Sequence, residues 1–166
     1  SNGVRQEILP RFPGILQHAL MGRRERGERK PTRVVIFRDG VGDGQFPEVM
    51  EREVFPIRQI CERCEIKLEF LVLQKRHHTR FFKKTGRNVT NIDAGTFIRD
   101  DQICRGDDFY LNSHSASRIG TNRSVHYVVL HSSGDLTLRQ LGNLANKLCY
   151  NNARCTMATS IPTPVF

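Results

Sequence analysis

RVVIFR, residues Arg33 to Arg38, strings β-branched and aromatic side chains together and stops at Asp39-Gly40. A run of this kind reads as a buried strand that ends in a turn. Downstream, apolar residues recur at Phe46, Val49, Met50, Val54, Ile57, Ile60, Cys61 and Cys64, which is the period of an amphipathic helix. Pro56 falls inside this helix and predicts a kink or a division. A second apolar run, Leu68–Gln74 (LEFLVLQ), follows at once. Strand, helix and strand in that order predict a right-handed parallel crossover and an α/β fold.

On the amino-terminal side, Gly14–Leu20 is a short helix candidate, and Pro13 is tolerable only in its first turn. Met21–Lys30 (MGRRERGERK) is charged and carries two glycines, so it is expected to be an exposed loop. Towards the carboxyl end, further strands are expected at Asp108–Asn112 and His126–Leu130. A last helix is expected from Leu138 to Cys149, with Leu138, Leu141, Leu144, Ala145 and Leu148 on one face. The final stretch Ser160–Phe166 (SIPTPVF) stops on an apolar aromatic, as in a chain cut from something larger.

The 166 residues suffice for one domain with its own core. No stretch approaches the roughly 18 apolar residues that a spanning helix needs, so no membrane partner is expected. Five cysteines (Cys61, Cys64, Cys104, Cys149 and Cys155) are an odd number without a secretory signal. Reduced thiols in the cytosol or nucleus are therefore expected. Twenty-six Lys and Arg against 17 Asp and Glu give a net charge of +9. That excess attracts polyanions through counterion release, without distinguishing RNA from DNA or from an acidic protein.

Asp39 closes the first strand, at the edge where ligands bind in open α/β sheets. A carboxylate there suits a hard cation such as Mg²⁺, although position alone favours a plain Asp-Gly turn. Lys75-Arg76-His77-His78-Thr79-Arg80 leaves the second strand directly. Its permanent cations of one sign make it a phosphate-contact candidate. The adjacent histidines diverge and no third ligand follows at suitable spacing, which argues against zinc. Cys61-Glu62-Arg63-Cys64 has CxxC spacing without a partner pair, and its cysteines on the apolar helix face suit core packing better than metal. His114, Arg118, Arg123, His126 and Arg154 are scattered near element ends beside Ser113, Thr121 and Ser160. That placement suits a groove tracking a sugar–phosphate backbone.

Read together, these segments resemble one family. Val35-Ile36-Phe37-Arg38-Asp39-Gly40-Val41 with Gly44-Gln45-Phe46 resembles the Argonaute signature YRDGVSEGQF, and Gln74–Arg80 matches its QKRHHTR motif at every residue. Asp93–Thr96 resembles PAGT, and Phe109-Tyr110-Leu111 with Ser113-His114 resembles FYLxSH. Gly120-Thr121 with Arg123, His126 and Tyr127 resembles GTSRPSHYHVL. Arg154-Cys155-Thr156 and Ser160–Pro164 resemble RCTRSVSIPAP. The motifs stand in family order across most of the chain and are closer to Argonaute proper than to the Piwi branch.

The resemblance implies an RNase H-like α/β fold, a mixed sheet flanked by helices, with residues 1–166 as the C-terminal portion of a PIWI domain incomplete at both ends. It implies guide-directed RNA silencing, with a small guide RNA, its complementary target RNA and the rest of an Argonaute chain as partners, and room for silencing cofactors. In that family, four acidic or histidine side chains hold two divalent cations, Mg²⁺ or Mn²⁺, for phosphodiester cleavage. Asp39 matches the Asp of the RDG motif, and Glu7 in Arg5-Gln6-Glu7-Ile8 resembles the RQEI glutamate. The other two members of the set belong outside the chain, so the fragment alone is expected not to cut. Lys75, Arg76, His78, Arg80, His114, Arg123, Arg154 and Ser160 fit family positions that touch the guide backbone. Such contacts read A-form geometry and leave sequence to base pairing. Asn152 and Phe166 stand where the family often has tyrosines, and Phe97-Ile98-Arg99 replaces TVD. The rival expectation is a slicing-inactive, guide-binding scaffold that recruits partner proteins.

Overall fold

The computed structural model describes residues 9, 11–115 and 120–163. Along the chain run α1 (Phe12–Glu25), β1 (Arg33–Asp39), α2 (Phe46–Val49), α3 (Phe55–Arg63), β2 (Lys67–Gln74), β3 (Phe82–Thr85), β4 (Asn88–Asn91), β5 (Thr96–Ile98), β6 (Asp108–Asn112), β7 (Val125–Ser132) and α4 (Leu138–Cys149). The strand order in the five-stranded sheet is β1-β2-β7-β6-β5, and β3 and β4 pair as a separate ribbon. By their contacts the residues form two compact units. The first runs to Val72 and adds Val129–Ser133; the second takes Leu73–Val128 and the chain from Gly134 onward.

The first unit is built as the hydrophobic pattern predicts. Ile36 of β1, Leu68, Phe70 and Val72 of β2, and Val49, Val54, Ile57 and Cys61 of the intervening helices form one buried cluster. Removing each large apolar side chain from water contributes roughly 1.5–3 kcal/mol. The division expected at Pro56 takes the form of a π-helical turn, Met50–Val54, between α2 and α3. Proline lacks an N–H and its ring meets the carbonyl four residues back, and a widened turn relieves both conflicts. Burial first, then the charges of Cys64 and Glu62, push the Cys61 thiol up to about 11. Cys61 is a packed, protonated core thiol.

One expectation is corrected here. Met21–Glu25, read as the start of an exposed loop, belongs to α1. Arg and Glu are good helix formers, and a single glycine costs only about 1 kcal/mol, so polarity alone did not end the helix.

In the second unit β5 pairs antiparallel with β6, and β6 with β7. Phe109 and Tyr127 stand directly opposite and stack at 4.9 Å, and Phe97 stacks on Phe109 at 5.0 Å. This aromatic ladder faces α4, whose Gly142 lies so close to Phe97 that a Cβ there would come within 2.5 Å of the ring. Thr137 caps α4 reciprocally, its hydroxyl accepting from the Gln140 N–H while Gln140 Oε1 accepts from the Thr137 N–H. The sequence pattern gave no warning of β5 or of the β3–β4 ribbon.

Candidate nucleic-acid interface

Asp39 is the last residue of β1 and is exposed, and Gly40 after it turns the chain at φ +83°. That left-handed conformation favours glycine, which explains the Asp-Gly pair. Beneath it Arg38 reaches back to Glu53 with Nε–Oε2 at 3.1 Å and Nη2–Oε1 at 3.3 Å. Glu53 is wholly buried and Arg38 nearly so. Glu53 Oε1 also accepts from the Leu9 N–H, and Arg38 Nη1 donates to the Asp39 carbonyl at 2.6 Å. A two-point, charge-assisted pair thus fixes the backbone of Asp39. Its own carboxylate makes no hydrogen bond or ion pair among the described residues. An open oxygen donor at a braced strand end fits one ligand position of a hard cation. Glu7 lies outside the described residues. Among those that are described, no group of three or more His, Cys, Asp or Glu side chains could enclose a metal ion.

The second unit carries all eight expected phosphate contacts. Lys75, Arg76 and His78 are exposed on the loop leaving β2. His77, between them, points the other way. Its Nε2 donates to the Ser124 carbonyl at 2.8 Å, and its ring meets Tyr110 edge-on at 5.4 Å. Phe81 meets Tyr110 from the far end of the loop, also edge-on, at 5.1 Å. Tyr110 itself stacks on His126 at 4.3 Å, directly across the β6–β7 pair. His126 is held by Asp108 Oδ2 at 2.6 Å and meets Gln74 Oε1 at 3.1 Å. The loop is therefore clamped at its first residues, its middle and its end.

The His77–Ser124 bond joins this loop to the next one, since Ser124 follows the exposed Arg123. A second bond joins another pair of expected contacts. Ser113 Oγ donates to the Thr159 carbonyl at 2.7 Å, which ties the neighbour of His114 to the neighbour of Ser160. Lys75 in turn lies near enough to His114 for its charge to be felt there. Lys75, Arg76, His78 and Arg123 are thus carried by one pair of segments joined through a buried main-chain anchor, and His114 and Ser160 by another. Arg80 differs from the rest, because its guanidinium turns back to the carbonyls of His77 and Thr79 and shapes the loop. Arg154 is exposed on the turn after α4, where Asn152 Oδ1 accepts its backbone N–H.

Two histidines of this region resist protonation. Burial holds His77 below its ordinary value; the Ser124 carbonyl opposes the shift, and the charges of His126, Arg80 and His78 reinforce it. Burial lowers His114, and Lys75 adds to the effect. Each has a buried Nδ1 without a partner among the described residues, so a second proton would sit on a donor with no acceptor. His77, Ser113, Asn91 and the Asp108–His126 pair escaped the sequence reading as supports, because the acceptors that reveal their role lie 18 to 47 residues away.

The Piwi domain family matches residues 2–166 of the chain. The chain is 41% identical over 164 residues to protein argonaute 5 of Arabidopsis thaliana, which covers 92% of this chain and 16% of that protein. The chain thus spans 16% of the length of that curated relative. It is similar to the crystal structure of the C-terminal lobe of a budding yeast Argonaute, with a TM-score of 0.76 and 25% identity, over 95% of this chain and 36% of that one. Kluyveromyces polysporus Argonaute with a guide RNA shares the fold, at a TM-score of 0.76 and 24% identity over 99% of this chain and 22% of that one. The architecture is the expected RNase H-like one, a mixed sheet flanked by helices.

Proposed function

The chain belongs to the Piwi domain family of Argonaute proteins, and from that premise we propose that it binds a small guide RNA within an RNA-silencing protein and contributes to cutting the RNA paired with that guide. The observation that carries this reading is the anchoring of Lys75, Arg76, His78, His114, Arg123 and Ser160 through two bonds, His77 to Ser124 and Ser113 to Thr159. Cations and a hydroxyl on rigid supports suit a ribose–phosphate strand, because they bind its backbone and leave the bases for pairing. A guide RNA in the crystal of the Kluyveromyces polysporus neighbour agrees with this chemistry.

Within the reading, Lys75, Arg76, His78 and Arg123 carry the phosphate contacts, with His114, Arg154 and Ser160 beside them. Arg80 acts through the loop it shapes. Asp39 and Glu7 would hold divalent cations, Mg²⁺ or Mn²⁺. When bound, these supply an activated water and charge neutralisation at the leaving oxygen. The chain's own contribution at Asp39 is to present an unengaged carboxylate on a strand end that Arg38 and Glu53 keep from moving.

The test is a cleavage assay on the full-length protein loaded with a guide and given a matched target. Asp39→Ala is expected to lower cleavage at least about 100-fold, a few kcal/mol of barrier, with guide affinity unchanged. Lys75→Gln with Arg76→Gln is expected to weaken guide binding and flatten its salt dependence. Cleavage that persists in Asp39→Ala refutes the metal-ligand role. A parent that holds guide-length RNA but leaves the matched target whole is a silencing scaffold that works by recruiting partners.

A further inference from the structure

The β3–β4 ribbon has no role in anything described so far. Its residues Phe82–Thr85 and Asn88–Asn91 pair in register, with Gly86-Arg87 as a two-residue loop and Gly86 at φ +60°. Every one of these eight strand residues is exposed except Asn91. A two-stranded ribbon without a buried face is marginal alone, and here Asn91 holds its base. Asn91 Nδ2 donates to the Gly120 carbonyl at 2.8 Å and its Oδ1 accepts from the Asn122 N–H at 3.0 Å. The ribbon is therefore rooted on the loop that carries Arg123, in the same unit as the loop that carries Lys75.

Its surface chemistry is one-sided. From Lys75 to Ile92 the chain holds Lys75, Arg76, Arg80, Lys83, Lys84 and Arg87 and not one Asp or Glu. Lys83 is neutralised by Asp93 at 3.0 Å. Lys84 and Arg87 make no ion pair among the described residues. Alternation along the strands places Phe82, Lys84 and Val89 on one face, and Phe82 and Val89 are 53% and 63% exposed. These apolar groups leave more than half of their surface in water.

We propose that the β3–β4 ribbon is a further RNA-binding surface, on which Lys84 and Arg87 contact phosphates and Phe82 and Val89 pack against sugar or base faces of the same strand. The combination of uncompensated cations with an exposed aromatic ring on one face is the chemistry of a strand-tracking surface. Rooting beside Arg123 makes it continuous with the contacts assigned above. The inference rests on the reading that those contacts bind RNA.

The experiment titrates the full-length protein with single-stranded RNA of guide length over a salt series, in the parent and three variants. Lys84→Gln with Arg87→Gln is expected to reduce the slope of log affinity against log salt by roughly 1.4–1.8, the counterions of two phosphates. The loss is expected to be equal for RNAs of any sequence. Phe82→Ala is expected to weaken binding about fivefold or more at every salt concentration. Lys75→Gln with Arg76→Gln is the reference. If that reference weakens binding while the ribbon variants leave affinity and slope at parent values, the ribbon inference fails and the proposed function stands. That outcome includes a ribbon serving an acidic protein instead. If no variant changes RNA binding, both fail. All five substituted side chains are solvent-facing, so a lost slope reports lost contacts, and a charge-reversed Lys84→Glu with Arg87→Glu variant should double the loss.

Discussion

The end of β1 and the loops of the second unit both present charges to solvent, and the chain fixes them by different means. At Asp39 the support is electrostatic and buried, a two-point Arg38–Glu53 pair whose carboxylate also accepts from the Leu9 N–H. Around Lys75 and Arg123 the bonds that reach the main chain come from neutral side chains, and the one acid among the supports, Asp108, is buried behind His126. The His77 ring donates to the Ser124 carbonyl and the Ser113 hydroxyl donates to the Thr159 carbonyl, with Asn91 bridging Gly120 and Asn122. The contrast has a physical reason. A strand end needs one backbone position held firmly, and a desolvated ion pair does that at the risk of a large loss when broken. A cluster of surface cations would be neutralised by exposed acidic supports, so its main-chain anchors are uncharged side chains, and Asp108 is kept buried against His126.

The largest expected effect tests the first half of that contrast. Glu53→Ala takes the two-point carboxylate away from the nearly buried Arg38 and should lower stability by about 3–5 kcal/mol, read as a drop in the urea midpoint. A variant within a few tenths of the parent would show that the packed core alone holds the strand end. Glu53→Gln, which keeps the shape and some hydrogen bonding, should recover part of the loss.

A middle-sized effect tests the second half. His77→Ala removes the donor to a buried Ser124 carbonyl, which should cost about 1–3 kcal/mol. Because every surface cation remains, RNA affinity should fall while the salt slope stays at the parent value. A slope that drops with the affinity would mean that His77 is itself a charged contact, and the contrast between charged and neutral supports would collapse.

The smallest effect is a pH dependence. The folded state holds His77 and His114 below their ordinary value, so the unfolded chain takes up protons first as pH falls. Stability from these groups is therefore complete above about pH 6.5. It declines as pH drops below that value and levels off once the folded imidazoles also protonate. Urea midpoints at several pH values should show the decline, and His114→Asn should make it shallower. His131 in the first unit, lowered by burial and Arg58 against the pull of Glu69 and Glu62, leaves a residual slope in that variant. An unchanged slope in His114→Asn would assign the whole dependence elsewhere.

Legibility in the sequence followed burial. β6 and α4 stand at the residues their patterns predict, Asp108–Asn112 and Leu138–Cys149, since a helix or strand half in the core writes its period into the chain. The β3–β4 ribbon was invisible because both of its faces are solvated, and FKKT and NVTN carry no apolar alternation. The extension of α1 through Glu25 was hidden for the same reason, as a solvated helix turn and a loop share one composition.

What the amino-acid sequence determined by itself was chemistry and order: an acid closing a strand, a run of cations leaving the next strand, and an α/β pattern between them. Side-chain type and local period are properties of neighbouring residues and need no folding to be read. The tertiary structure alone decided which of two adjacent histidines faces inward, that Arg80 turns on its own loop, and that Ser113, Asn91 and His77 are the fastenings. The fastenings depend on acceptors 29 to 47 residues away along the chain, which only the fold brings within hydrogen-bonding distance, while Arg80 turns to carbonyls one and three residues back once that loop is set.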